Sequence, residues 1–221
     1  MADIFDEVQE DLRAERARQL AIRYGGAFVT AALLVVAAAT GWQAWQWHSH
    51  RHDQGAALQY FEAVHQLGNP LEPTSAAPNS AAAADFARLA GAGPQSYRTL
   101  AALRAAALRA AAGNRAGAET LYARIADDDG ASRLLRDLAS LLWVDHALDD
   151  GDPAQLAGRL KPLLHPGNPW HALAQEDQAL LDLRQGNKKA ARQTLELLAQ
   201  DTTAPQGVRE RANGLLGRLG S

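Results

Sequence analysis

The residue types able to ligate a metal crowd into one short run, His48-Ser-His-Arg-His52. Three imidazoles within five residues could hold a divalent ion if the chain were extended there. In a helix, residues 48 and 52 would share a face and His50 would point elsewhere. The reading adopted is a wet segment beside a membrane span, without metal. Two acidic runs, Asp127-Asp-Asp129 and Asp149-Asp-Gly-Asp152, lack the spaced carboxylates and closing Glu of a calcium loop. They read as helix caps and solvated turns. The chain contains neither a phosphate-cradling Gly-Lys-Ser/Thr loop nor a Gly-x-Ser-x-Gly elbow. His146 and His165 stand apart from any acid–nucleophile set and read as structural. There is no Cys, which excludes disulfides, thiol nucleophiles and Cys-ligated zinc. No catalytic residue, cofactor, metal or small-molecule substrate is expected. The chain reads as a protein that acts by binding.

The element that sets the position of everything else is Tyr24 to Trp47. This stretch of 24 residues contains no Asp, Glu, Lys or Arg. A bilayer core is ~30 Å thick and needs about 20 apolar residues to cross as a helix. Trp42, Trp45 and Trp47 crowd one end and Tyr24 marks the other, a belt at each interface. Arg13, Arg16, Arg18 and Arg23 precede the span, whereas Arg51 is the sole basic residue in the 20 that follow it. The positive-inside bias predicts a cytoplasmic N-terminus and an exported C-terminal part. A cleavable signal ending near Ala37-Ala38-Ala39 is the rival reading. The 23-residue tail ahead of the span carries six acids, unlike a short basic leader. Ile4, Val8, Leu12 and Leu20 recur there at helical spacing, as a lead-in helix or a cytoplasmic docking helix.

Beyond the span, from His48, the chain holds 18 Lys plus Arg and 19 Asp plus Glu. That balance gives no electrostatic case for nucleic acid. Ala, Leu and Arg dominate and Val and Ile are scarce, which favours helix over sheet. Asp53 to Leu67 reads as a stalk helix with Ala57, Leu58, Phe61, Val64 and His65 on one side. Gly68-Asn-Pro70 ends it. Leu71 to Ala84, with Pro73 and Pro78, reads as a flexible linker whose alanines could form a helical turn before Asp85-Phe-Ala-Arg-Leu89.

From Gln95 apolar-periodic segments alternate with turns. The expected helices are 96–112 with 115–126, 132–149 with 153–164, and 169–185 with 188–200, closed by one from about Pro205 to Leu219. The turns Gly113-Asn114, Gly151-Asp152 and Gly186-Asn187 are 38 and 35 residues apart. Two helices per unit and a period in the mid-thirties are the signature of tetratricopeptide repeats. Five, nine and twelve residues after each turn glycine stand Ala118, Tyr122 and Ile125; Leu156, Leu160 and Leu163; and Ala191, Leu195 and Leu198. These are the expected packing positions of each second helix. In the third unit the repeat's first-helix positions fall on Gln175, Gln178 and Asp182. A shifted register is therefore expected, with Trp170, Leu173, Leu180, Leu181 and Leu183 packing instead.

The layout resembles the YfgM-type ancillary subunits of the Sec translocon, most closely their alphaproteobacterial forms. The resemblance spans essentially the full chain. It is carried by Asp3-Ile-Phe-Asp-Glu-Val8, by Arg23-Tyr-Gly-Gly26 leading into the span, and by Asn168-Pro-Trp-His171. It implies an inner-membrane protein with a periplasmic repeat domain that contacts translocon subunits and newly exported or immature envelope proteins. An envelope-assembly or division scaffold is the alternative, and a released periplasmic binding protein a third.

The expected fold class is all-α: a single N-terminal transmembrane helix and a tetratricopeptide-like solenoid with a C-terminal capping helix. The expected divisions are a cytoplasmic tail over 1–23, the span over 24–47, stalk and Ala/Pro linker over 48–94, and the repeat domain over 95–221. Solenoids bind on their concave face. Leu138 and Leu141 fall at inward positions, and Trp170 is of the type that anchors apolar segments. Those three are the expected partner-binding residues. Trp143 and Trp170 alternatively fill the inter-repeat core.

Overall fold

A computed structural model of the chain describes residues 40, 42–43, 54–68 and 80–220. The chain divides into two compact units, Met1–His52 and Asp53–Ser221. In the first, the three described residues are helical. The expected tail, nearly all of the expected span and the His48–His52 cluster lie outside the described residues. Among the described residues, no helix is long and apolar enough to cross a membrane.

In the second unit every described regular element is a helix. Residues 54–66 form α1. There follow α2 Ser80–Ala92, α3 Gln95–Ala111, α4 Arg115–Ala126, α5 Arg133–Ala147, α6 Pro153–Leu160, α7 His171–Arg184, α8 Lys188–Gln200 and α9 Gln206–Gly220. From α2 on, each packs on the next, and the alternate helices α5, α7 and α9 also touch in turn. One helix pair cannot bury its own apolar face, so the pairs stack.

The turns explain the period. Gly113 (φ 78°) and Gly186 (φ 81°) occupy the left-handed region that ends a helix. Behind them the Asn114 N–H donates to the Arg109 carbonyl at 2.9 Å, and the Asn187 N–H to that of Asp182 at 2.8 Å. The middle turn is built differently. Gly151 N–H donates to the Ala147 carbonyl at 2.7 Å, and a side chain at 151 would meet that oxygen at 2.6 Å. The Asp152 carboxylate then caps α6 by accepting from the Ala154 and Gln155 N–H groups, with Pro153 in the first turn.

All nine expected second-helix positions are buried. Leu156, Leu160 and Leu163 pack with Leu141, Val144 and Leu181 in one core cluster. Ala191, Leu195 and Leu198 pack with Val208 and Ala212 of α9, which closes the end of the stack. Two boundaries differ from expectation. α6 stops at Leu160, not near 164, because Pro162 has no N–H to continue it. Leu163 still reaches the core through a tight turn, its N–H donating to Leu160 at 2.8 Å.

The packed unit also begins earlier than Gln95. The end of the segment read as linker, from Ser80, is helical and runs through residues 85–89 as α2, where Ala82, Phe86 and Leu89 are buried in one cluster with Ala56 and Ala63 of α1 and Ala101 and Ala105 of α3. Burying Phe86 and Leu89 contributes about 1.5–3 kcal/mol each toward holding α2 on the stack. The stalk helix thus packs on its inner side through Ala56 and Ala63, while Leu58 and Phe61 stay exposed.

Candidate partner-binding face

The stack is stapled by polar contacts one repeat apart. Arg115 donates to Asp150 at 2.7 Å, the Trp170 indole N–H to the Leu134 carbonyl at 3.0 Å, and Arg184 to the Leu148 carbonyl at 2.9 Å. Arg211 grips Glu176 with two bonds of 2.6 Å. These separations are 35 or 36 residues, close to the turn period. The Trp170 and Arg184 contacts join near-equivalent places in neighbouring units, whereas Arg115–Asp150 is an exposed pair.

Those staples and the cores decide where the expected site residues fall. Leu141 is 5% exposed, in the core with Val144 and Leu160. The reading of Leu141 as a groove residue is therefore corrected: α5 turns that side toward α6 and α7. Leu138 is half-buried. Trp170 is half-buried too, with its ring packed on the same core. The run Asn168-Pro-Trp-His171 is a clasp. The Asn168 side-chain oxygen accepts from the Trp170 N–H, and its amide donates to Asp137, both at 2.8 Å. With the indole bond to Leu134, this ties the α6–α7 loop to the start of α5. His146 stacks on Tyr122 at 5.5 Å between ring centres. Trp143 is half-buried beneath the Arg159 guanidinium, 4.8 Å from its ring centre. His165 is exposed.

The third unit departs most from expectation. Leu181 is fully buried as expected, and Trp170, Leu173 and Leu183 pack at the edges of the cores. Glu176 and Asp177, adjacent acids on α7, are also buried, at 5% and 8% exposure. Glu176 has its charge matched by Arg211 of α9. Asp177 has no hydrogen bond or ion pair among the described residues. Burial, then the charges of Asp145 and Glu176, push its carboxyl up to about 8, against a smaller downward pull from Arg211. It therefore carries a proton at neutral pH. Burial and the same Asp145 also raise the Tyr122 hydroxyl. Asp145 is itself exposed and makes no ion pair among the described residues.

Tyr122 of α4, Asp145 of α5, Glu176 and Asp177 of α7 and Arg211 of α9 are thus electrostatically coupled across four helices. In this arrangement Asp145 is exposed while Glu176 and Asp177 are buried. The set places no nucleophile beside a base. Among the described residues, no group of three His, Asp or Glu is placed to hold a metal ion. Nothing in the local sequence marks this set, since adjacent acids are ordinarily solvated. The available signal was that Glu176 and Arg211 lie 35 residues apart, one repeat.

The chain matches the tetratricopeptide repeat-like domain family over residues 21–212 and belongs to that family. The match covers α1 and α2 as well as the helices after Gln95. No curated protein and no solved structure matches the chain. Repeat domains of this kind are typically protein-interaction modules, with an extended surface for the partner.

Proposed function

We propose that the chain is a single-span inner-membrane protein, N-terminus in the cytoplasm, whose repeat unit lies in the periplasm as a protein-binding scaffold of the Sec translocon. Its partners are translocon subunits and newly exported or immature envelope proteins, and it acts without turnover. The observation that carries the binding role is the stacked helix-pair unit of the tetratricopeptide repeat-like family, fixed by staples one repeat apart. A rigid stack presents one continuous face at little ordering cost to a partner. The uncharged run from Tyr24 to Trp47 and the arginines before it support the anchor and its direction. The run at Asn168 to His171 supports the translocon resemblance only as a structural clasp.

Crosslinking in intact membranes, followed by purification of the full-length chain, tests the reading. Translocon subunits are the expected partners. Recovery of wall-synthesis or division proteins in their place would move the scaffold to envelope assembly. A reporter active only outside the cytoplasm, fused after Ser221, should be active. A mature N-terminus near Thr40 would overturn the anchor.

A further inference from the structure

A second surface lies between α2 and α4, with α3 as its floor. The groove there measures about 340 Å³, within the range of built ligand sites. Its floor is small and apolar, with Ala102 and Ala105 of α3 and Leu121 and Ile125 of α4. Arg98, Arg109 and Arg124 line it, against one acid, Asp128. The groove is therefore locally cationic in a chain of formal net charge −3.

The three arginines are not already spent on the fold. Arg98 is held in place by two bonds to the Gly93 carbonyl, at 3.2 and 3.0 Å. A guanidinium has five N–H donors, so three remain. Arg109 and Arg124 make no hydrogen bond or ion pair among the described residues. Thr99, 5% exposed, also lines the groove and its hydroxyl has no partner among them. Asp128 accepts from the Gly130 N–H at 2.9 Å, which leaves its charge partly engaged.

We infer that this groove binds an acidic peptide segment of a partner protein, with small apolar residues on the alanine floor and carboxylates on Arg98, Arg109 and Arg124. The inference rests on the reading of the chain as a protein-binding scaffold and adds a second contact surface with its own chemistry. Arg98 and Arg109 are eleven residues apart on one helix, so ~16 Å along its axis. An extended segment covers that length in about five residues. The ligand should then carry two acids near its ends and apolar residues between. Planar guanidinium groups suit carboxylates in pairs of bonds. A nucleic acid would need a longer cationic track than three arginines.

The test is fluorescence anisotropy of the full-length protein with a dye-labelled peptide of sequence EAVALE, against KAVALK. The acidic peptide should bind and the basic one should not. Binding should weaken severalfold between 0.1 and 0.5 M salt, as charges become screened. Arg109→Gln with Arg124→Gln should weaken it tenfold or more while leaving the thermal melt in place. Arg109→Glu with Arg124→Glu should exchange the preference toward the basic peptide. Equal binding of both peptides, no binding, or an unchanged affinity in the glutamine variant would each overturn the inference. So would binding to vesicles with anionic headgroups that excludes the acidic peptide, since the groove would then be a lipid site. If crosslinked partners are recovered undiminished with the glutamine variant, the scaffold role stands and the groove alone is wrong.

Discussion

Asp177→Asn isolates the energetic consequence of a buried acid. In the folded chain the Asp177 carboxyl is pushed up to about 8, first by burial and then by Asp145 and Glu176. In the unfolded chain it returns to about 3.9. Between those values the folded state keeps a proton that the unfolded state gives up. Stability tied to this group is fully present below about pH 4 and is lost as pH rises through about 8. The slope is about 1.4 kcal/mol per pH unit, so from pH 5 to 7.5 the loss is on the order of 3 kcal/mol. Asn has the shape of the protonated acid and does not titrate. The variant should therefore match the wild type below about pH 4, and its advantage should grow by roughly 3 kcal/mol between pH 5 and 7.5. Urea unfolding of both proteins at the two pH values, followed by far-ultraviolet circular dichroism, measures the change directly. Subtracting wild type from variant cancels the other titrating groups. A difference that stays constant with pH would show that Asp177 is ionised and solvated in the fold, and the coupled face would lose its protonated member.

Three further outcomes are expected. Leu141→Ser should cost at least the 2–5 kcal/mol of a core truncation, read from the same melts, because Leu141 packs with Val144, Leu160 and Leu181. A fragment from Gln95 should melt lower than one from Asp53 and aggregate, because Ala101 and Ala105 lose the cover of Phe86 and Leu89; equal melts would detach α1 and α2 from the folding unit. Arg211→Leu should destabilise by about 1–3 kcal/mol, discounted for the 55% exposure of Arg211, by leaving Glu176 buried and unpaired. Adding Glu176→Gln should restore part of that loss, and a double variant no better than the single would show the pair is uncoupled.

The helices were legible in the sequence where local signals decide them. Apolar periodicity and the turn glycines placed α3 to α5 and α7 to α9 within about two residues, and the offsets from each glycine picked nine buried side chains. Pro162 was as plain a signal as any glycine, and it marks the early end of α6. Long-range packing was less legible. An Ala/Pro segment looks like a linker until Phe86 is seen to fit between α1 and α3. Leu138 and Leu141 lie three residues apart on α5, so a small rotation decides which of them meets α6. Adjacent acids at 176 and 177 are tolerated in the interior because Arg211, a repeat away, matches one and a proton neutralises the other.

The eight residues of α6 give the array an uneven grain. Every other helix from α2 on runs to at least twelve residues, and α6 packs less extensively on its neighbours than they do on theirs. In a stack where each unit touches only the next, cooperativity is carried link by link. A short helix is therefore a seam, with α2 to α5 on one side and α7 to α9 on the other. The Asn168 clasp, the Arg184 bond to Leu148 and the core shared by Leu141, Leu160 and Leu181 all cross that seam. Parting the two halves there would open that shared core, so α6 is the shortest link of the stack and not a free joint. The repeat unit thus stays one continuous stack across its shortest helix, because the core of Leu141, Leu160 and Leu181 spans it.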